Sequence, residues 1–169
     1  FKDLLDFYES RDVKVVVLSE YGITSVNNPV HLNRVFRDKG WLAIKDELGK
    51  DMIDLGASKA FAIADHQVAH IYVNDLSLYD DVLNEVRSTE GVGQVISGVE
   101  LDQLGLRHER SGDIIAVSDE SSWFTYYFWE DDQMAPDYAR CVDIHRKPGY
   151  DPVELFFDPA IKFKSLKVT

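Results

Sequence analysis

A chain of 169 residues, 45% hydrophobic and 12% aromatic, carries enough apolar side chain to bury one sizeable core and is unlike a disordered segment in composition. Its 18 Lys and Arg stand against 30 Asp and Glu, and the resulting formal charge of −12 disfavours broad contact with a nucleic-acid backbone over the Debye length of roughly 8 Å. No run reaches the roughly 18 to 20 apolar residues needed to span a bilayer, and the lone Cys141 excludes an internal disulfide, so a reducing, cytoplasmic setting is expected.

In chain order, the opening stretch from Phe1 to Tyr8 has the spacing of an amphipathic helix already under way, and the chain is expected to be the continuation of a longer polypeptide. Arg11 to Leu18 is a nearly continuous β-branched run, the pattern of a strand buried on both faces of a parallel sheet, with the strand itself at Val13 to Leu18. It stops at Ser19-Glu20-Tyr21-Gly22. In open α/β sheets, ligands sit just past the C-terminal end of such a strand. Asn28 as N-cap and Pro29 at the first helical position announce a helix with Leu32, Val35 and Phe36 on one face and Gly40 as its stop.

Trp41 to Ile44 opens an extended stretch, and Lys45 to Asp51 reads as a turn before Met52 to Leu55. Lys59 to Ala64 and Ala69 to Val73 read as two strands, or as one strand interrupted by Asp65-His66-Gln67. Ser77 with Asp80 gives a capping pattern for a helix with Leu78, Val82 and Val86 on one face, ended by Gly91-Val92-Gly93. Strands follow at Asp113 to Val117 and Trp123 to Trp129, with Asp119 to Ser122 as the turn between them. The aromatic run at 123–129 reads as a core-facing strand rather than a stacking platform for bases. Glu130 to Tyr150, polar and holding Pro136 and Pro148, reads as a long irregular excursion. His31 and His108 read as surface histidines.

Two segments carry chemistry. Leu18-Ser19-Glu20-Tyr21-Gly22-Ile23-Thr24 and His145-Arg146-Lys147-Pro148-Gly149-Tyr150-Asp151-Pro152 together resemble the type I phosphodiesterase and nucleotide pyrophosphatase branch of the alkaline phosphatase superfamily. In that family a strand ends in Ser-Asp-His-Gly-Met, whose Asp and His bind one metal, and a His in a later His-Gly-Tyr-Asp segment binds the other. The likeness extends to the helix after Asn28 and to the Arg110-Ser111-Gly112-Asp113 turn. It implies an α/β fold with an alkaline phosphatase-like sheet core, present as its C-terminal portion, and an α+β, strand-rich insertion. Core elements are expected at about 1–44 and 141–169, with the insertion at about 45–140.

The departures from the family pattern have chemical consequences. Glu20 stands where the family has Asp, keeping an oxygen donor but moving it out by one methylene. Tyr21 stands where the family has His, and a phenol with a pKa near ~10 is a poor zinc ligand beside imidazole. His145 is separated from Gly149 by Arg146-Lys147-Pro148, whereas the family has the two adjacent. The resemblance implies Glu20 and His145 as metal ligands, Tyr21 as a hydrogen-bond donor near the metal, and Arg146 and Lys147 as positive charge for a second phosphate. From spacing alone Glu20 reads as a solvated or capping carboxylate, Tyr21 as a packed aromatic and His145 as a loop histidine.

Asp65-His66-Gln67-Val68-Ala69-His70 also invites a metal reading. On a straight strand the two imidazoles would be rooted roughly 13 Å apart, too far to chelate one ion. One of His66 and His70 lining the ligand pocket remains the expectation.

The implied activity is metal-dependent hydrolysis of a phosphodiester or a nucleotide-like pyrophosphate, using a divalent ion, zinc or else Mn or Mg. The expected partner is a small phosphate ester or nucleotide, with neither nucleic acid nor membrane. The family's nucleophile is expected upstream, so no catalytic nucleophile is assigned here and the chain alone is expected to be inactive. A rival reading is a non-catalytic binding or regulatory domain derived from the same fold, with Glu20 and Tyr21 replacing lost ligands.

Overall fold

A computed structural model describes residues 1–19, 22–136 and 139, which form a mixed α/β arrangement. Its centre is a four-stranded antiparallel sheet made of β4 (Ala60–Asp65), β5 (Val68–Val73), β6 (Val92–Ser97) and β7 (Ile114–Ser118) in the spatial order β4-β5-β7-β6. Apolar residues alternate along β4 and β5, whose one face is buried in the main core, while β7 is buried on both faces. Ala60, Ala62 and Ala64, then Ala69, Ile71 and Val73, then Ile114 and Ala116 point into the main core. The small alanines let α2 (Leu32–Asp38) and α3 (Tyr79–Ser88) approach closely, so that Phe36, Val82 and Val86 are fully buried. On the opposite face Phe61 and Tyr72 stack with ring centroids 5.0 Å apart, and α4 (Val99–Gln103) sets Leu101 against Ile96 and Ile115.

The outer edge of β4 would expose backbone groups. Asn33 covers them at one point, its side chain donating to the Ala62 carbonyl and accepting from the Ala62 N–H, both at 2.8 Å. A buried amide on the helix thus stands in for one residue of a neighbouring strand and blunts the edge.

Among the described residues there are also two smaller sheets. β2 (Ala43–Asp46) and β3 (Asp51–Asp54) form the hairpin expected around the 45–51 turn. β1 (Asn28–Val30) pairs in parallel with β8 (Ser122–Phe124), joining stretches 94 residues apart.

That pairing corrects the expected helix start. Asn28 and Pro29 lie in β1, and the helix begins after His31. The Asn28 side chain, free to cap a helix on sequence grounds, instead donates to Ser122 Oγ at 2.9 Å. Proline is tolerated there because, among the described residues, β1 pairs on one side only.

The chain at residues 11–19 forms no strand. Val16, Val17 and Leu18 are 75%, 62% and 78% exposed, and none of the described residues supplies the neighbouring strand that a ladder requires. α1 (Lys2–Glu9) forms as expected, also without a buried residue. The expected strand at 123–129 ends at Phe124; beyond it, Thr125, Phe128 and Trp129 are buried without strand pairing. β6 and α4 were absent from the sequence reading, since Gly91 and Gly93 read as a stop. The Ser77–Asp80 cap is replaced by Asp75, whose carboxylate accepts from the Ser77 N–H and hydroxyl.

Candidate functional site

Glu20, Tyr21, His145, Arg146 and Lys147, the residues the motifs single out, lie outside the described residues, as does Cys141. His66 and His70 lie within them, and the β4–β5 hairpin fixes both. Asp65 pairs with Val68, so His66 and Gln67 form the connection, with His66 at φ 53°. His66 is exposed enough to meet solvent, and its Nε2 stands 3.8 Å from Asp65 Oδ1. Its carbonyl accepts from the Phe124 N–H at 2.7 Å.

His70 sits mid-strand opposite Ile63 on one side and Ile115 on the other. Its Nδ1 accepts from the Gly112 N–H at 3.1 Å, which assigns the ring proton of the neutral imidazole to Nε2. A side chain at 112 would meet the Ile71 backbone at 2.6 Å, so glycine is what permits this approach. His70 shares the Val68 and Tyr72 face of β5, while His66 is in the turn beyond the strand. The hairpin therefore gives the two rings separate surroundings. Among the described residues no group of three or more His, Cys, Asp or Glu is arranged to hold a metal.

What the described residues do assemble is a bracket between the stretch that follows Glu20-Tyr21 and the stretch that precedes His145. The Asn27 N–H donates to the Ser121 carbonyl at 2.9 Å, the β1–β8 register follows, and the Thr125 N–H donates to the Val30 carbonyl at 3.0 Å. Gln67 Nε2 donates to the carbonyls of Asp119 and Ser122 at 3.2 and 3.0 Å, tying the β4–β5 turn to the same place. From α2, Arg34 Nε donates to the Trp129 carbonyl at 2.7 Å while its guanidinium lies 4.8 Å from the Tyr127 ring centroid. Arg37 donates to the Phe128 carbonyl and pairs with Asp51 at 2.6 Å and Glu130 at 3.2 Å. The Asp51 N–H and Lys50 Nζ then hold the carbonyls of Met134 and Gln133 at 2.7 and 2.6 Å.

His31, expected at the surface, is half-buried in this bracket. Its Nδ1 lies 2.7 Å from Thr125 Oγ1 and its ring meets the Tyr127 ring edge-on at 5.3 Å. Burial first, and then the Arg34 guanidinium, hold its pKa below the ordinary histidine value. One signal was present in the sequence: His31, Arg34 and Arg37 recur every third residue, which places them along one side of a helix.

No curated protein matches the chain. Among solved structures, phosphonoacetate hydrolase from Sinorhizobium meliloti 1021, in complex with phosphonoacetate, aligns with a TM-score of 0.45 and 16% identity. The alignment covers 64% of this chain and 26% of that protein, so the chain spans about a quarter of the neighbour's length. A family model described as type I phosphodiesterase / nucleotide pyrophosphatase matches residues 1–151, a span that includes both motif segments as far as Asp151. The chain belongs to the type I phosphodiesterase/nucleotide pyrophosphatase family.

Proposed function

We propose that this chain supplies part of a metal-dependent site for hydrolysing phosphodiester or nucleotide-like pyrophosphate bonds in a small phosphate ester or nucleotide. The observation that carries the reading is the family match, which runs through both Leu18 to Thr24 and His145 to Asp151. Glu20 offers a carboxylate oxygen and His145 an imidazole nitrogen, a donor pair suited to zinc or manganese; with Tyr21 in place of a histidine, a harder ion such as Mg or Mn also fits. When bound, such an ion would neutralise charge on the phosphoryl oxygens and lower the pKa of an attacking group.

In this reading Tyr21 donates a hydrogen bond to a phosphate oxygen, and Arg146 and Lys147 hold a second phosphate. One of His66 and His70 lines the approach in this reading, and His70 would offer its Nε2–H. The nucleophile is assigned to none of these residues, so the 169-residue chain by itself should not turn over substrate. No described helix is long and apolar enough to cross a membrane.

The test is metal content together with hydrolysis of bis(p-nitrophenyl) phosphate by the full-length protein that contains this chain. Zinc or manganese at near-stoichiometric amounts, lost in Glu20→Ala and His145→Ala along with turnover, supports the reading. Tyr21 in place of a metal-binding histidine favours one rival, a binding or regulatory module. Absence of bound metal and of turnover, with nucleotide binding retained, would establish that rival.

A further inference from the structure

We infer that Gly112 is a positioning residue, fixing the His70 ring as a hydrogen-bond donor to a phosphoryl oxygen and keeping that ring from serving as a metal ligand. The inference rests on the reading of the chain as part of a phosphate-ester site, and it gives to His70 the place left open between His66 and His70. It starts from a bond whose direction is set by its chemistry. The Gly112 backbone N–H can only donate, so His70 Nδ1, 3.1 Å away, supplies the lone pair and the neutral ring carries its proton on Nε2.

That tautomer decides what the ring can do. A histidine that binds a metal through Nε2 almost always gives its Nδ1–H to an acceptor such as a carboxylate or a backbone carbonyl. At His70 the group facing Nδ1 is a donor, so the Nδ1 lone pair is occupied and the Nε2 position holds a proton. The ring, on a partly exposed residue of β5, is therefore set to donate to an ionised oxygen, the acceptor that a phosphate ester presents. His66 has a different neighbour: its Nε2 lies 3.8 Å from the Asp65 carboxylate, a charge that repels a phosphate.

The Gly112 N–H is held in place from both sides. The Tyr72 hydroxyl donates to the Arg110 carbonyl at 2.8 Å, and the Asp113 carboxylate accepts from the Val73 N–H at 2.8 Å. Between these anchors the turn runs so close to β5 that a Cβ at 112 would lie 2.6 and 2.7 Å from the Ile71 carbonyl oxygen and nitrogen, and 3.0 Å from the His70 carbonyl carbon. All three are backbone atoms, which cannot swing aside as the end of a side chain does. A side chain at 112 therefore pushes the N–H off the ring, and the Arg110-Ser111-Gly112-Asp113 turn has a use at the site.

The test uses the full-length protein. Heteronuclear NMR of the His70 ring above neutral pH should show a proton on Nε2 and none on Nδ1. Inorganic phosphate at matched ionic strength should shift Nε2, and added zinc should leave the ring unligated. With bis(p-nitrophenyl) phosphate, His70→Phe should raise KM about tenfold with a smaller effect on kcat, the loss of one hydrogen bond to a charged group. His70→Gln keeps an N–H donor and should recover most of that loss. Gly112→Ala should raise KM comparably and add little to His70→Phe in the double variant, because both act through one ring. A ring protonated on Nδ1, or one that ligates zinc, overturns the inference. So does an unchanged KM in His70→Phe while the parent turns over, which leaves the hydrolase reading standing. If the parent shows no turnover, that reading has failed, and the Nε2 response to phosphate decides the inference: its absence overturns it. If Gly112→Ala does not fold, the tautomer in the parent decides.

Discussion

Replacing Gly91 with alanine tests whether the β1–β8 joint is as tight as its geometry implies. Gly91 sits at φ 87°, in the region where a side chain is strained. An added Cβ would lie 2.6 Å from Val30 Cγ2, 2.7 Å from Asn28 Nδ2 and 2.9 Å from Ser122 Oγ. The left-handed backbone costs about 1–2 kcal/mol for an L-residue, and overpacking at a closed site costs about 1–3 kcal/mol. Reduced freedom of the unfolded chain offsets about 0.4–1 kcal/mol. The expected net loss is about 2–4 kcal/mol by the same reasoning.

Gly40→Ala is the internal control, since Gly40 has a similar φ of 68° but nothing within 4 Å of the added Cβ. It should cost only the backbone share, about 1 kcal/mol. Urea unfolding of the full-length protein provides the assay. With a slope of about 1–3 kcal/mol per molar, the Gly91→Ala midpoint should fall by about 1–2 M and the Gly40→Ala midpoint by distinctly less. Equal shifts in the two variants would refute the reasoning, because they would mean that the contacts around Gly91 yield at no cost.

Asn33→Ala strips the Ala62 N–H and carbonyl of their partner, and should cost about 2–4 kcal/mol, with exchange at the Ala62 amide rising most among the β4 amides. Arg37→Met leaves Asp51 mostly buried and unpaired. Because Arg37 is about a quarter exposed, the loss should be about 1–3 kcal/mol rather than the larger figure for a fully buried pair, read from thermal or urea unfolding. His31 makes stability depend on pH with a definite sign. Its folded pKa is lowered, so the unfolded chain takes up a proton first. Stability should be intact above the ordinary value of 6.5 and decline as pH falls below it. His31→Gln should flatten that part of the profile in denaturation curves taken from pH 7.5 to 5.

Much of the local structure was legible because local rules produce it. The period-2 alternation of 59–73 and 113–117, the 45–51 turn and the apolar stripe of Val82 and Val86 are each written in short-range spacing, whatever the partner they meet in the fold. The two motif segments were equally legible, because they resemble a family whose model spans residues 1–151. Where the sequence reading erred, a distant partner had decided the outcome. Asn28 carries the marks of an N-cap, yet Ser122 claims its side chain from across the parallel pair. The β-branched run at 13–18 has strand propensity, but a ladder takes two strands, and none of the described residues provides the second.

The sequence by itself determined this protein's family, the types of group that could handle a phosphate, and three of the four strands of the central sheet, since these depend on residue identity and short-range spacing. Tertiary structure alone decided that 28–30 would lie beside 122–124, that His31 would be half-buried against Thr125 and Tyr127, and that Asn33 would seal the edge of β4. Each of those outcomes is a pairing between residues at least 29 positions apart. Such pairings are set by which buried polar groups find partners once the core closes, and no local pattern records that.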